Sequence, residues 1–243
     1  MKELSKRVSL LSPSATFAML QKTVELKSKG IDIVSMSLGE PDFPTPDHVK
    51  AAAKKAIDEN YSTYSPVPGY PDLRKAVCAK LERENGLHYE PSQIVVSNGA
   101  KQSICNALLA LVNPGDEVII PAPYWVSYPQ MVLLAEGTPV YVEATLEQGF
   151  KITPEQLEAA ITPRTKALIL CSPSNPTGAV YSREELSGLK DVLLRHPEVF
   201  VISDEIYEHL NYVSAHASLA EFPEINDRVI LVNGVSKAYA MTG

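Results

Sequence analysis

Phe200-Val-Ile-Ser-Asp-Glu-Ile-Tyr207 and Val229-Ile-Leu-Val-Asn-Gly-Val-Ser-Lys237 are the stretches on which the fold turns. Each is an apolar run rich in β-branched residues that empties into side chains able to do chemistry. A strand that is apolar throughout, instead of alternating with polar residues, reads as one buried on both faces of a parallel sheet. Glu117-Val-Ile-Ile120, Pro139-Val-Tyr-Val142 and Ala167-Leu-Ile-Leu170 share this character, and Ile94-Val-Val-Ser97 reads as a further strand. Helical segments fall between them, at 100–111, 126–135, 154–161 and 183–194. The alternation predicts an α/β fold, a mainly parallel central sheet with helices on both faces.

Upstream the pattern is more broken. Residues 14–29 read as a helix opened by the small polar residues Ser12 and Ser14 and stopped by Gly30. Asp47 reads as the cap of a helix reaching to about residue 60, and 72–84 as another helix. The segments 36–46 and 61–70 are loops punctuated by Gly and Pro. There is no internal repeat and no low-complexity stretch.

Composition bounds the function. The 243 residues are 45% hydrophobic and 21% charged, ordinary for a globular protein with a substantial core. A net charge of −7 argues against a nucleic-acid partner, which calls for a basic face. No stretch approaches the length of an apolar membrane span, and the charged N-terminus leads into no signal-length apolar run, so the expected location is the cytoplasm. Cys78, Cys105 and Cys171 are widely spaced and odd in number, and read as buried, reduced thiols.

In parallel sheets ligands gather at the carboxyl ends of the strands. The conspicuous polar residues sit there. Ser97-Asn-Gly-Ala-Lys-Gln102 places Gly99 between a strand and a helix N-terminus, either an anion site of free backbone N–H groups or a plain turn. It lacks both glycine-rich nucleotide fingerprints. Trp125, in Pro121-Ala-Pro-Tyr-Trp125, is the single tryptophan; its ring can stack on a planar group or serve the core. Cys171-Ser-Pro-Ser-Asn-Pro-Thr-Gly178 either holds the Asn175 amide rigidly outside a strand end, with Asn175-Pro176 a candidate cis bond, or forms a capping turn. Asp204 follows an apolar strand and needs a partner, whether a cationic ring nitrogen, an ion pair or a helix N-terminus. Tyr207, three residues on, can reach the same neighbourhood if the strand end turns into a helix. Lys237 is either a solvated loop lysine or an amine kept out of bulk water, able to attack a carbonyl and form a Schiff base.

In this order, these elements resemble the fold-type I pyridoxal phosphate enzymes, and more closely the class I/II aminotransferases of the aspartate aminotransferase family. The resemblance runs over essentially the whole chain. It is carried by Ser37-Leu-Gly-Glu-Pro-Asp-Phe43, Tyr64-Ser-Pro-Val-Pro-Gly69, Asn98-Gly-Ala-Lys-Gln102, Pro123-Tyr-Trp125, Asn175-Pro-Thr-Gly178, Asp204-Glu-Ile-Tyr207 and Ser236-Lys-Ala-Tyr-Ala-Met-Thr-Gly243.

The resemblance implies pyridoxal 5'-phosphate held covalently on Lys237, which then moves protons as a general acid–base. Asp204 would pair with the pyridinium nitrogen, Asn175 and Tyr207 would bond the phenolic oxygen, and Trp125 would stack on the ring. Gly99, Ala100 and Lys101 would cradle the phosphate. Gly39, Trp125 and Asn175 would face the substrate, and Tyr64 would reach the phosphate of a neighbouring subunit in a homodimer. It also implies that 1–46 form an N-terminal arm and small-domain segment, and 47–243 a cofactor-binding large domain incomplete at its C-terminus. The implied reaction exchanges an amino group between an amino acid, aspartate-like by default, and a 2-oxo acid. A lyase or synthase of the same fold, or a non-catalytic pyridoxal-phosphate-binding regulatory module, is the alternative.

Two departures stand out. Gly234 occupies a position where many relatives carry a phosphate-binding serine, which leaves Ser236 as the substitute. The family pattern also continues past Thr242-Gly243 into an arginine for the phosphate, then a small-domain segment whose arginine clamps the substrate carboxylate. On that reading the chain is the N-terminal portion of a longer enzyme.

Overall fold

The computed structural model describes residues 4–13, 15–36, 39–213 and 215–243, with the side chain of Phe17 left aside. Its centre is a five-stranded sheet of β1 (Glu117–Ala122), β2 (Thr138–Glu143), β3 (Thr165–Cys171), β4 (Phe200–Asp204) and β5 (Val229–Val232). The spatial order is β2-β1-β3-β4-β5 and every pairing is parallel. The chain winds outward from β1 in both directions, so the switch of strand order lies between β1 and β3, where open α/β sheets bind ligands.

Both faces are covered because the strand residues alternate between two cores. Val118 and Ile120 of β1, Ala167 and Ile169 of β3, and Ile202 of β4 belong to one core, which includes Ile104 and Leu108 of α5 (Ala100–Leu111) and Met131 and Val132 of α6 (Ser127–Leu134). Ile119, Leu168, Leu170 and Val201 belong to the opposite core, with Leu157 of α7 (Pro154–Ala160) and Leu186, Leu189 and Leu193 of α8 (Arg183–Arg195). Full burial of a leucine or isoleucine side chain stabilises by about 1.5–3 kcal/mol, so these two layers supply most of the apolar driving force.

Two of the helices open on a capping box. Thr153 and Ser182 accept the N–H of the third helical residue, and Gln156 and Glu185 accept the N–H of the cap. Upstream lie α1 (Lys6–Ser9), α2 (Ala15–Ser28), α3 (Asp47–Asp58) and α4 (Pro71–Asn85). The expected opening residue Ser14 lies outside the described residues.

Three expectations are corrected. Residues 94–97 are not a strand: Val96 donates its N–H to the Pro68 carbonyl at 3.0 Å, and no sheet strand pairs with the segment. β-branched composition is a local property, whereas a strand needs a ladder partner. Asp47 is the first helical residue of α3, not its cap; its carboxylate meets Lys50 at 2.6 Å and lies at the positive end of the helix dipole. The three cysteines are free, as expected, but each is only partly buried.

Candidate functional site

The carboxyl ends of β3, β4 and β5 finish level, with Cys171 in register with Asp204 and Asp204 with Val232. Asp204 is buried at 3% exposure. Its Oδ2 accepts the phenol O–H of Tyr128 at 2.6 Å, and its Oδ1 accepts the Ile206 N–H at 3.3 Å. Among the described residues no cation pairs with it. Burial pushes its carboxyl above the ordinary range; Tyr128 and the Ile206 amide pull the other way, and neighbouring Glu205 adds to the rise. No helix starts here, so the Ile206 contact is a turn bond, and neither the helix-capping nor the ion-pair reading is met.

Asn175 and Tyr207 come together. The Asn175 amide donates to the Tyr207 hydroxyl at 3.4 Å, and the Asn175–Pro176 bond is cis, as are Ser172–Pro173 and Ala122–Pro123. Two of these bonds lie after β3 and one at the end of β1. Tyr207 follows β4 in a turn, not a helix.

Lys237 sits on the short helix α9 (Val235–Ala238), one turn beyond β5. Its Nζ donates to the Gly39 carbonyl at 2.7 Å and lies 5.8 Å from the centre of the Tyr207 ring. Burial lowers its pKa below the lysine norm, against the opposing field of Glu40. The amine is thus partly buried and hydrogen-bonded, which favours the sequestered reading over the solvated-loop one. The Gly39 loop is fastened to the same segment by two further bonds, Thr45 Oγ1 to the Ala240 carbonyl at 2.6 Å and Thr242 Oγ1 to Glu40 Oε1 at 2.9 Å.

Gly99 precedes α5 with φ of +83°, a left-handed conformation that glycine adopts without strain. The amides of Ala100 and Lys101 then fall in the first helical turn, where no intrahelical acceptor exists. The Lys101 Nζ lies 4.8 Å from the centre of the Trp125 ring, and Trp125 meets Tyr128 edge to face, centres 5.4 Å apart. Two connected series result: Lys101, Trp125, Tyr128 and Asp204, and Gly39, Lys237, Tyr207 and Asn175.

Two expected residues stand apart from these contacts. Tyr64 is fully exposed on the loop between α3 and α4, and among the described residues no hydrogen bond or ring contact joins it to the others. Ser236 lies on α9 beside Lys237, and its hydroxyl has no hydrogen bond among the described residues. At Gly234 a Cβ would come within 3.2 Å of Ile206 Cδ1, so a serine there would require that methyl to give way.

Tyr128 was absent from the sequence-level candidates. Its signal was its place three residues after Trp125, on the first turn of α6. A second buried group also went unmarked: Glu205 Oε1 accepts the hydroxyls of Ser203 at 2.8 Å and Ser218 at 2.5 Å, and Oε2 meets His216 Nε2 at 2.7 Å.

A doubly covered parallel sheet thus brings a buried carboxylate, a partly buried lysine and an open helix N-terminus together at its strand ends, the layout of an α/β domain with a ligand site at its carboxyl edge. Residues 31–243 match the family described as aminotransferase class I and II. The chain belongs to that family. It is 57% identical, over 99% of its length and 60% of the relative's, to the aspartate/prephenate aminotransferase of Cereibacter sphaeroides. It is 51% identical to the aspartate aminotransferase of Geobacillus stearothermophilus, covering 99% of this chain and 62% of that one. The structure of aspartate aminotransferase from Thermus thermophilus with maleate superposes with a TM-score of 0.96 at 48% identity, covering 100% of this chain and 63% of the other. The chain therefore spans about 60% of the length of these curated relatives. Among the described residues no helix is long and apolar enough to cross a membrane.

Proposed function

We propose that this chain carries the cofactor site of a pyridoxal 5'-phosphate-dependent aminotransferase moving an amino group between an aspartate-like L-amino acid and a 2-oxo acid. One observation carries the reading: the Asp204 carboxylate is buried with only neutral donors. A buried carboxylate without a countercharge is costly, and a protonated ring nitrogen supplies the missing charge. The residues present thus fit the group. When bound, the cofactor supplies an electron sink for the electron pair left at the substrate α-carbon.

The remaining chemistry belongs to the chain. Lys237 would hold the cofactor through Nζ, and its lowered pKa suits it to accept and return the α-proton. Asn175 and Tyr207 would donate to the phenolic oxygen, and Trp125 would stack on the ring face. The free amides of Ala100 and Lys101, with the Ser236 hydroxyl, would hold the phosphate at the positive end of α5, beside Gly99, whose own N–H is given to the Ser97 carbonyl at 2.9 Å. Gly39, Trp125 and Asn175 would border the substrate.

The larger assembly follows the same reading. Residues 1–46 would be an arm and small-domain segment, and 47–243 the cofactor-binding large domain. The exposed Tyr64 would complete the site of a second copy in a homodimer. The free cysteines suit the cytoplasm, and the role would be amino-acid biosynthesis. The aspartate preference is supported by the names of the relatives.

Borohydride treatment of the chain with pyridoxal phosphate should fix the cofactor on one peptide containing Lys237, and Lys237→Ala should abolish that adduct. An adduct that survives the substitution would sink the assignment. A 2-oxo acid added to the aminated cofactor form should restore the original absorbance, and that restoration would sink the lyase or synthase alternative.

A further inference from the structure

Tyr128 is 2% exposed and sits second in α6, its ring packed edge to face against Trp125. Its hydroxyl, 2.6 Å from Oδ2, is the one side-chain donor to Asp204 among the described residues. The other donor is a backbone amide, which no substitution can tune. Burial and the Asp204 charge hold the phenol well above its ordinary pKa, which favours the protonated donor.

A neutral donor on a carboxylate lowers its proton affinity, while burial raises it. The balance decides where the single proton shared by Asp204 and a ring nitrogen resides. With the donor in place, the carboxylate would leave the proton on nitrogen. Without it, a more basic carboxylate would take that proton, leaving a neutral carboxyl against a neutral ring. Each oxygen also keeps one lone pair free after its present bond, so the two donors fix which way the carboxylate faces.

We propose, resting on the function proposed above, that Tyr128 is the positioning residue that keeps Asp204 ionised and oriented, and so keeps the cofactor's ring nitrogen protonated. The plainer reading is that Asp204 merely satisfies a buried tyrosine hydroxyl. The two readings differ in what happens at the nitrogen.

The test compares the unaltered chain, Tyr128→Phe, Asp204→Asn and the double variant, each loaded with pyridoxal phosphate carrying an isotope-labelled ring nitrogen. In Tyr128→Phe the nitrogen resonance should move toward that of neutral pyridine. Cofactor affinity should fall about tenfold or more, the scale of a lost hydrogen bond to a charged group. In the cofactor-free chain, the carboxyl carbon resonance of Asp204 should titrate at higher pH in Tyr128→Phe. In the Asp204→Asn background, removing the hydroxyl should change neither the nitrogen nor the affinity, because Tyr128 acts only through Asp204. That comparison also stands if the single variant does not fold, since no buried carboxylate then loses its donor. A folded Tyr128→Phe chain with an unmoved nitrogen resonance, or equal losses of affinity in both backgrounds, overturns the inference. If the unaltered chain forms no borohydride-stable adduct at Lys237, the proposed function fails and the inference with it. An intact adduct with an unmoved nitrogen sinks the inference alone.

Discussion

The Nζ of Lys237 donates a 2.7 Å hydrogen bond to the carbonyl of Gly39, 198 residues earlier in the chain. The contact ties an irregular loop to the segment after β5 and keeps the amine partly out of water. A lysine whose charged form is disfavoured by burial reaches its neutral, nucleophilic state at lower pH than its neighbours.

Lys237 should therefore react fastest among the lysines with an amine-directed aryl reagent at mildly alkaline pH, and bound pyridoxal phosphate should protect it. Peptide mapping of partly labelled, cofactor-free chain checks this. Labelling no faster than at an exposed lysine such as Lys54 would show that the amine is solvated.

Asp204 leads to a stability test with a definite sign. Burial raises its folded pKa above the ordinary value of 3.8. A carboxyl shifted this way contributes stability below the unfolded pKa and loses it as pH rises through the folded one. Cofactor-free Asp204→Asn should consequently be more stable than the unaltered chain at neutral pH, with the advantage shrinking as pH falls toward 3.8. Urea midpoints across that range measure it. An advantage that stays constant with pH would mean that the buried charge is not its source.

Glu208 makes the opposite case. Burial pushes its carboxyl up, but Lys80, the Asn85 amide at 2.7 Å and the Asn233 amide at 2.6 Å together bring it below the ordinary 4.5. Glu84 and His209 also face this cluster. Lys80→Met should destabilise the chain by about 1.5–3 kcal/mol, as expected for losing a hydrogen bond to a charged group. A depressed carboxyl contributes stability above its unfolded pKa and loses it as pH falls through the folded one, so the deficit should narrow in acid. Thermal unfolding at neutral and acidic pH reads both effects; a deficit unchanged in acid would assign the loss to packing of the lysine stem.

Much of this was legible in the chain. Five of the six expected strands exist within a residue or two of their expected bounds, because a parallel sheet covered on both faces demands runs such as Ala167-Leu-Ile-Leu170 that are apolar throughout. The sixth, 94–97, has the composition of a strand but no ladder partner. Asn175, Asp204, Tyr207 and Lys237 were visible because each stands at the end of a strand, or a few residues past it, where the sequence marks that end. Tyr128 and the Glu205–His216 pair were not, because a helical tyrosine or a histidine in a loop carries no local sign of what its polar atom will meet.

The sequence by itself determined the order of elements, their parallel arrangement and the set of polar residues delivered to the strand ends, since hydrophobic periodicity and turn chemistry are local. Only the tertiary structure decided which of those residues touch. That Gly39 meets Lys237 and Tyr128 meets Asp204 depends on how loops and helices separated along the chain pack over one sheet edge. So do the depressed amine and the raised carboxyl, because burial and neighbouring charge are properties of that packing and not of any single residue.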